Sequence, residues 1–225
     1  MKLRYFSHSA FQITTDGGKI ILIDPFLDDN PTSPVKSKDI KPDYIILSHA
    51  HGDHLGDAMK IAKESESLFI CVFELSNYLS AKGFKTHGMS IGGGHNFDFG
   101  RVKFTIAHHG SSSPEGVYCG EPAGILLTID GKTIYHTGDT ALFYDMKLIG
   151  EMNSIDVMCL PIGDNFTMDV TDAVKAVELA NPRIAIPMHY STFPLIEADP
   201  YEFKRRLEEK GKNCRVLNFG QEIDV

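Results

Sequence analysis

Three imidazoles and a carboxylate fall within six residues of this chain, at His49, His51, Asp53 and His54. They follow directly on the apolar run Tyr44-Ile45-Ile46-Leu47. A buried strand cannot end in such a cluster with its polar atoms dry, because unpaired polar groups are costly in an apolar interior. The side chains must face water or a cation. Imidazole nitrogen combined with carboxylate oxygen is the ligand mixture of zinc and its first-row neighbours. His49 and His51 alternate, so a locally extended chain points both the same way. Gly52, open to backbone angles closed to other residues, is expected to shape a tight loop that brings all four donors to one point. The spacing reads as a metal site for two ions, against the plainer alternative of a polar loop rich in histidine.

The elements that must position these donors are short. Residues 2–7 and 10–15 read as strands around His8-Ser9. Asp16-Gly17-Gly18 is a hairpin turn into Ile20–Ile23, which stops at Asp24-Pro25. Residues 25–42, with four prolines, are a loop, either a lid or a surface excursion. Further strands are expected over Tyr44–Leu47, Leu68–Phe73, Val102–Ala107, Gly124–Ile129, Thr133–Thr137, Ile155–Leu160, Arg183–Pro187 and Cys214–Phe219. Helices are expected over Gly56–Glu66, Glu74–Lys82, Asp172–Ala180 and Pro200–Lys210. The glycine-rich stretch 83–101 lacks a following Lys-Ser or Lys-Thr, so Gly92-Gly93-Gly94 is a turn between short strands.

Strands come first and then alternate with helices, and this order occurs twice. Nothing resembles a linker. The expectation is an α/β fold in one domain, residues 1–225, built from two similar halves of sheet flanked by helix. Four times a buried strand runs out and a donor follows: Leu47 leads to His49, Ala107 to His109, Thr137 to Asp139 and Ile186 to His189. Sites of layered α/β proteins gather at the carboxyl ends of strands. If these ends share one edge, His49, His51, Asp53, His54, His109, Asp139 and His189 pool there. Seven donors exceed one tetrahedral ion but suit two ions that share a carboxylate.

Composition narrows the partners. Of the 225 residues, 42% are hydrophobic, ample for a core, and no apolar run approaches the roughly 20 residues that cross a bilayer. The N-terminus lacks a secretory pattern. A formal charge of −8 makes a poor generic ligand for nucleic acid or anionic membrane. Lys204, Arg205 and Arg206 alternate with Glu202, Glu208 and Glu209 as a solvated helix face does. Cys71, Cys119, Cys159 and Cys214 form no paired spacing, so neither disulfides nor a cysteine-zinc knot is indicated, and a cytoplasmic address fits.

The stretch His49-Ala50-His51-Gly52-Asp53-His54, followed by His109, Thr137-Gly138-Asp139 and His189, resembles the metallo-β-lactamase superfamily. More narrowly, the chain is similar to a family of lactonase-like, largely uncharacterised metal-dependent hydrolases. The segments that carry this are Ser7-His8-Ser9-Ala10-Phe11, Ile23-Asp24-Pro25-Phe26, Gly163-Asp164-Asn165-Phe166-Thr167-Met168 and Ile186-Pro187-Met188-His189-Tyr190. The resemblance implies a four-layer αβ/βα sandwich. It also implies one ion held by His49, His51 and His109, a second held by Asp53, His54 and His189, and Asp139 bridging them. His108 and His109 point to opposite sides of an extended segment. The resemblance assigns the ligand to His109; His108 is expected either behind the ligands or at the cleft rim, as a substrate contact. The family also has a histidine at the position of His8, which either orients a ligand, contacts substrate or makes a structural hydrogen bond.

Other polar groups carry weaker expectations. Asp24 ends a buried strand at the level of the cluster, where a carboxylate takes the second N–H of a metal-bound imidazole. Asp164 and Asn165 either line the pocket or cap a turn. Ser111, Ser112 and Ser113 have no aligned base and read as a polar loop. His87 and His95 stand alone, and His136 is structural.

The chemistry expected is hydrolysis by a metal-bound hydroxide, with Asp53 anchoring the second ion and orienting the water. The substrate expected is a small ester, lactone or phosphodiester. Zinc is the first candidate, with manganese, nickel and iron admitted by the same ligands. Rival readings are a nuclease of the same superfamily, a di-iron redox protein and a metal-binding or sensing module without turnover. A homo-oligomer is compatible with all of these.

Overall fold

A computed structural model describes all residues, 1–225. The first half is a meander: β1 (Lys2–Ser7), β2 (Ala10–Thr14) and β3 (Ile20–Ile23) pair antiparallel. It continues into a parallel set with β4 (Tyr44–Ile46), β5 (Leu68–Val72) and β6 (Thr86–Met89). Between these strands run helices α1 (Gly52–Leu55), α2 (Ala58–Ser65) and α3 (Phe73–Ala81). The second half repeats the plan. Strands β7 (Gly94–Phe97), β8 (Gly100–Ile106), β9 (Ala123–Ile129) and β10 (Lys132–His136) are antiparallel neighbours. Then α4 (Met146–Met152), β11 (Val157–Pro161), α5 (Val170–Ala180), β12 (Ile184–Met188) and α6 (Pro200–Glu208) follow, with β10, β11 and β12 parallel. A last strand, β13 (Glu222–Asp224), returns to pair with β1. The sheets are ordered β13-β1-β2-β3-β4-β5-β6 and β12-β11-β10-β9-β8-β7. Two mixed sheets with helices on their outer faces make the expected four-layer α/β sandwich.

Sequence pattern explains the layering. Strands covered on both faces read as continuous apolar runs, as β11 does with every residue buried. The main core lies between the sheets, where Phe11, Ile23 and Ile46 pack with Phe104, Ile125 and Ile186. A second core lies outside the second sheet, where Tyr135, Met158 and Leu160 meet Val174 and Val177 of α5 and Phe203 and Leu207 of α6. Asp169 caps α5 by accepting the Asp172 N–H at 2.7 Å.

Four expectations need correction. Gly52 is not a left-handed turn residue: it opens α1, and one helical turn, not a loop, presents Asp53 and His54. Residues 214–219 are not a strand. Cys214 makes one bridge to Ala185, after which the chain crosses from the edge of one sheet to the edge of the other, and Tyr5 bonds to Gly220 and Gln221. Helix α4 was not expected, because Gly150 interrupts it and Met146 is its only buried residue. His87 and His95 do not stand alone: their rings face each other at 4.4 Å where β6 and β7, the outer edges of the two sheets, meet.

The segment 25–42 is a tied strap. Asp57 of the α2 N-terminus accepts the N–H groups of Leu27 and Asp28, and Asp28 in turn accepts from Ser37 and Lys60. A short 3-10 turn, Ser37–Asp39, completes it.

Candidate metal centre

Topology brings the donors together. β3 and β4 are parallel; β1 is antiparallel to β2, and β2 to β3, so β1, β3 and β4 all end at one rim. By the same reasoning β8, β10, β11 and β12 end together. Backbone bonds join the rims of the two sheets: His189 N–H donates to His8 O at 2.7 Å, and Ala123 N–H to Ser48 O at 2.9 Å. His8, Asp24, His49, His109, Asp139 and His189 therefore each leave a strand at the same edge. His8, Asp24 and His189 do so with φ of 56°, 44° and 53°. Non-glycine residues rarely take these angles, and here they turn the side chains back over the strand ends.

The donors fall into two groups. His49 Nε2 and His109 Nε2 approach His51 Nδ1 at 3.0 and 3.2 Å. His54 Nε2 and His189 Nε2 lie 3.2 and 3.0 Å from Asp139 Oδ2, which is also 3.7 Å from His109 Nε2. Asp53 Oδ2 lies 3.7 Å from His189 Nε2. The three histidines thus form one set and Asp53, His54 and His189 another, with Asp139 between them. All seven donors meet at one place.

A supporting layer fixes their tautomers. Asp24 Oδ2 accepts from His54 Nδ1 at 2.8 Å and from the Ser48 hydroxyl, while its Oδ1 accepts the Ser48 N–H. The Ser48 oxygen is left to accept from His49 Nδ1 at 2.9 Å. Both histidines then carry a proton on Nδ1 and direct Nε2 inward. His8 lies between Thr192 Oγ1, 3.0 Å from its Nδ1, and Asp53 Oδ2, 3.1 Å from its Nε2. It is fully buried, with its ring against Asp53 and Thr192.

The chemistry of the donors fits metal ions. His54 Nε2, His189 Nε2 and Asp139 Oδ1 are buried and form no hydrogen bond, the two rings being close to Asp139 Oδ2 only as charged neighbours, and all three atoms are free to take a cation. His8-Asp53-His54-His189 and His49-His51-His109 each place ligand atoms within 4.8 Å of one another. Without an ion the two groups differ in charge. Burial pushes the imidazolium form of His49, His51 and His109 down, so these rings are neutral. Burial also works against His54, but Asp139 and Asp24 overcome it and hold that ring well above its ordinary value. His189 is likewise raised, to about 9, by Asp139 and Asp53 against burial. Those imidazoliums keep Asp53 and Asp139 well below the usual carboxylate range despite burial. His8 is pulled down to about 4 by burial and by the charge of His189. The metal-free centre therefore holds two protons where cations are expected.

The centre opens to solvent through a cavity of about 230 Å³ lined by His51, Asp53, His109, Asp139, His189 and Phe166. Phe166 is the residue sequence reasoning missed. Asn165, for which the sequence admits both lining the pocket and a place in a turn, forms a left-handed turn with Asp164, at φ 50° and 60°, and is not among the residues lining the cavity. His108 points away from His109 as expected, but its ring packs on Phe143 at 5.1 Å. Ser48 and Thr192 were also missed; a serine beside a ligand and a threonine three residues after one carry no signal of their own. His136 is structural: its Nε2 meets Ser9 O at 3.1 Å, and its Nδ1 accepts the Gly138 N–H.

An αβ/βα sandwich with a histidine-aspartate centre on its shared rim is the architecture of metallo-β-lactamase-fold proteins. Comparison with known proteins agrees: residues 19–190 match the β-lactamase superfamily domain. A UPF0173 metal-dependent hydrolase of Bacillus cereus is 54% identical over 232 aligned positions, covering all of both chains. Igni18, a metallo hydrolase of the archaeon Ignicoccus hospitalis, superposes with a TM-score of 0.90 at 40% identity, over 99% of this chain and 97% of its own. A putative metal-dependent hydrolase from Parabacteroides distasonis shares the fold at a TM-score of 0.75 and 24% identity, over 96% and 92%. The chain belongs to the β-lactamase superfamily and, within it, to the UPF0173 metal-dependent hydrolases.

Proposed function

We propose that this protein is a binuclear metal-dependent hydrolase acting on a small ester, lactone or phosphodiester. The observation that carries the reading is the set of buried atoms without a hydrogen bond on His54, His189 and Asp139, at a centre where the outer nitrogens of His54 and His49 are already engaged by Asp24 and Ser48. One ion is assigned to His49, His51 and His109, the other to Asp53, His54 and His189, with Asp139 shared. Zinc is the first choice, and manganese, nickel or iron suit the same donors. Bound ions would supply Lewis acidity and lower the pKa of a water so that it attacks at neutral pH.

The chain's own contributions follow from geometry. Asp53, with its side chain 30% exposed, is the carboxylate able to accept a hydrogen bond from the attacking water and orient it, whereas Asp139 is buried. His8 holds Asp53 from behind, and Asp24 holds His54 and, through Ser48, His49. No serine or cysteine lines the cavity, so attack by water needs no covalent intermediate on the chain. The cavity is smaller than the usual drug-sized pocket, which favours a small molecule over a nucleic-acid strand. The four cysteines are free and buried, in keeping with a reducing cytoplasm. No helix is long and apolar enough to cross a membrane.

The test is a panel of lactones, thioesters and phosphodiesters on metal-loaded protein beside a His51→Ala variant. The proposal expects turnover by the wild type and loss of both metal and turnover in a variant that still folds. Full metal occupancy with no turnover of any substrate would leave a metal-binding module instead.

A further inference from the structure

Five of the six side chains lining the cavity are the donors already described; the sixth is Phe166, 53% exposed. It stands on the turn after β11, where Asp164 and Asn165 both take left-handed backbone angles. Aspartate and asparagine are the non-glycine residues that best tolerate those angles, so the sequence is suited to this turn. The turn is firmly held: Asp164 N–H donates to Met168 O at 3.0 Å, Thr167 N–H to Asp164 O at 3.2 Å, and Met168 is buried. Gly163, just before it, lies so close to the His189 segment that a Cβ would stand 2.2 Å from the His189 carbonyl oxygen. A firmly held turn thus fixes a phenyl ring at the mouth of the centre, with half of it in water. Folding gains little from that exposure, and an apolar ring fixed beside the donors is placed for ligand contact.

The rest of the wall is as informative. It contains no lysine, arginine, serine, threonine or amide side chain. Asp164 and Asn165, which precede Phe166, add no positive charge. Away from the ions and the histidines and aspartates that would hold them, an anionic substituent finds no lysine or arginine in this wall, while a flat apolar group finds one ring to lie against.

We propose that Phe166 is the specificity-determining residue and that it selects a small, neutral ester- or lactone-like substrate bearing an apolar or aromatic substituent, in preference to an anionic one. The proposal rests on the hydrolase reading, and its test separates the two. Cobalt-loaded protein, whose visible absorption reports a new ligand on the ion, is titrated with phenylmethanethiol and with mercaptoacetate. The wild type is expected to bind the neutral aromatic thiol more tightly. Phe166→Ala should weaken that binding about tenfold and leave mercaptoacetate unchanged. Phe166→Lys should invert the preference. In parallel, KM for phenyl acetate should rise in Phe166→Ala with kcat unchanged.

Equal wild-type affinity for the two thiols, or an unmoved KM in Phe166→Ala, would overturn the assignment of Phe166 while leaving hydrolysis intact. Thiol selectivity as expected with no hydrolysis of any substrate would overturn the hydrolase reading alone. Failure to take up cobalt would overturn both.

Discussion

Loading the metal-free protein should expel protons, and their number follows from the structure. Metal ligation requires neutral imidazole, so each ring that is protonated beforehand must release its proton. His49, His51 and His109 are held down by burial and have none to give near pH 7.5. His189, raised to about 9, is nearly fully protonated there, and His54, held well above its ordinary value, is fully so. Filling both positions should therefore release about two protons per chain from these rings at pH 7.5, and about one more where a bound water ionises. The contribution of His189 to that release should disappear as pH passes its value of about 9. Titration calorimetry in buffers of different ionisation enthalpy counts these protons directly. Release near zero, or of four to five protons, would refute the charge distribution assigned to the centre.

The same groups govern the stability of the metal-free form. A pKa raised in the folded state gives stabilisation that is complete below the unfolded value and lost as pH climbs through the folded one. For His189 that window runs from 6.5 to about 9 and involves on the order of 3 kcal/mol. The Tm of chelated protein should fall across it, and the metal-loaded Tm should not.

Two further substitutions probe the supporting structure. Asp24→Asn removes the carboxylate that holds His54 and, through Ser48, His49, and should weaken metal affinity by about 10- to 100-fold in competition with a chelator dye. Gly56→Ala should destabilise the fold by roughly 1–3 kcal/mol in urea unfolding, because its φ is 41° and the new Cβ would stand 2.5 Å from the Pro25 carbonyl oxygen.

Much of this centre was legible in the sequence because its donors are carried by short-range features. A run of apolar residues followed by histidine or aspartate marks a strand end, and the parallel pairing of β3 with β4 and of β10, β11 and β12 places such ends at one rim. What escaped depends on tertiary placement. Gly52 was misread because the glycine needed at φ above zero is Gly56, four residues on, where the end of α1 presses against Pro25 and Phe26. Residues 214–219 alternate like a strand, yet they cross between the edges of two sheets and find a partner only at Cys214. Asn165 drew attention as a polar group near a strand end. A left-handed turn instead carries the chain past it and leaves the apolar Phe166 at the cavity, and no local pattern encodes that exchange. The sequence admits several roles for His8, because only the folded structure shows Thr192 on one side of it and Asp53 on the other.

The most direct test is exhaustive chelation followed by stepwise return of zinc, with metal content and hydrolysis measured on the same samples. The account predicts that activity vanishes in the stripped protein and returns as occupancy approaches about two ions per chain. Full activity in protein holding a negligible fraction of an ion would contradict it.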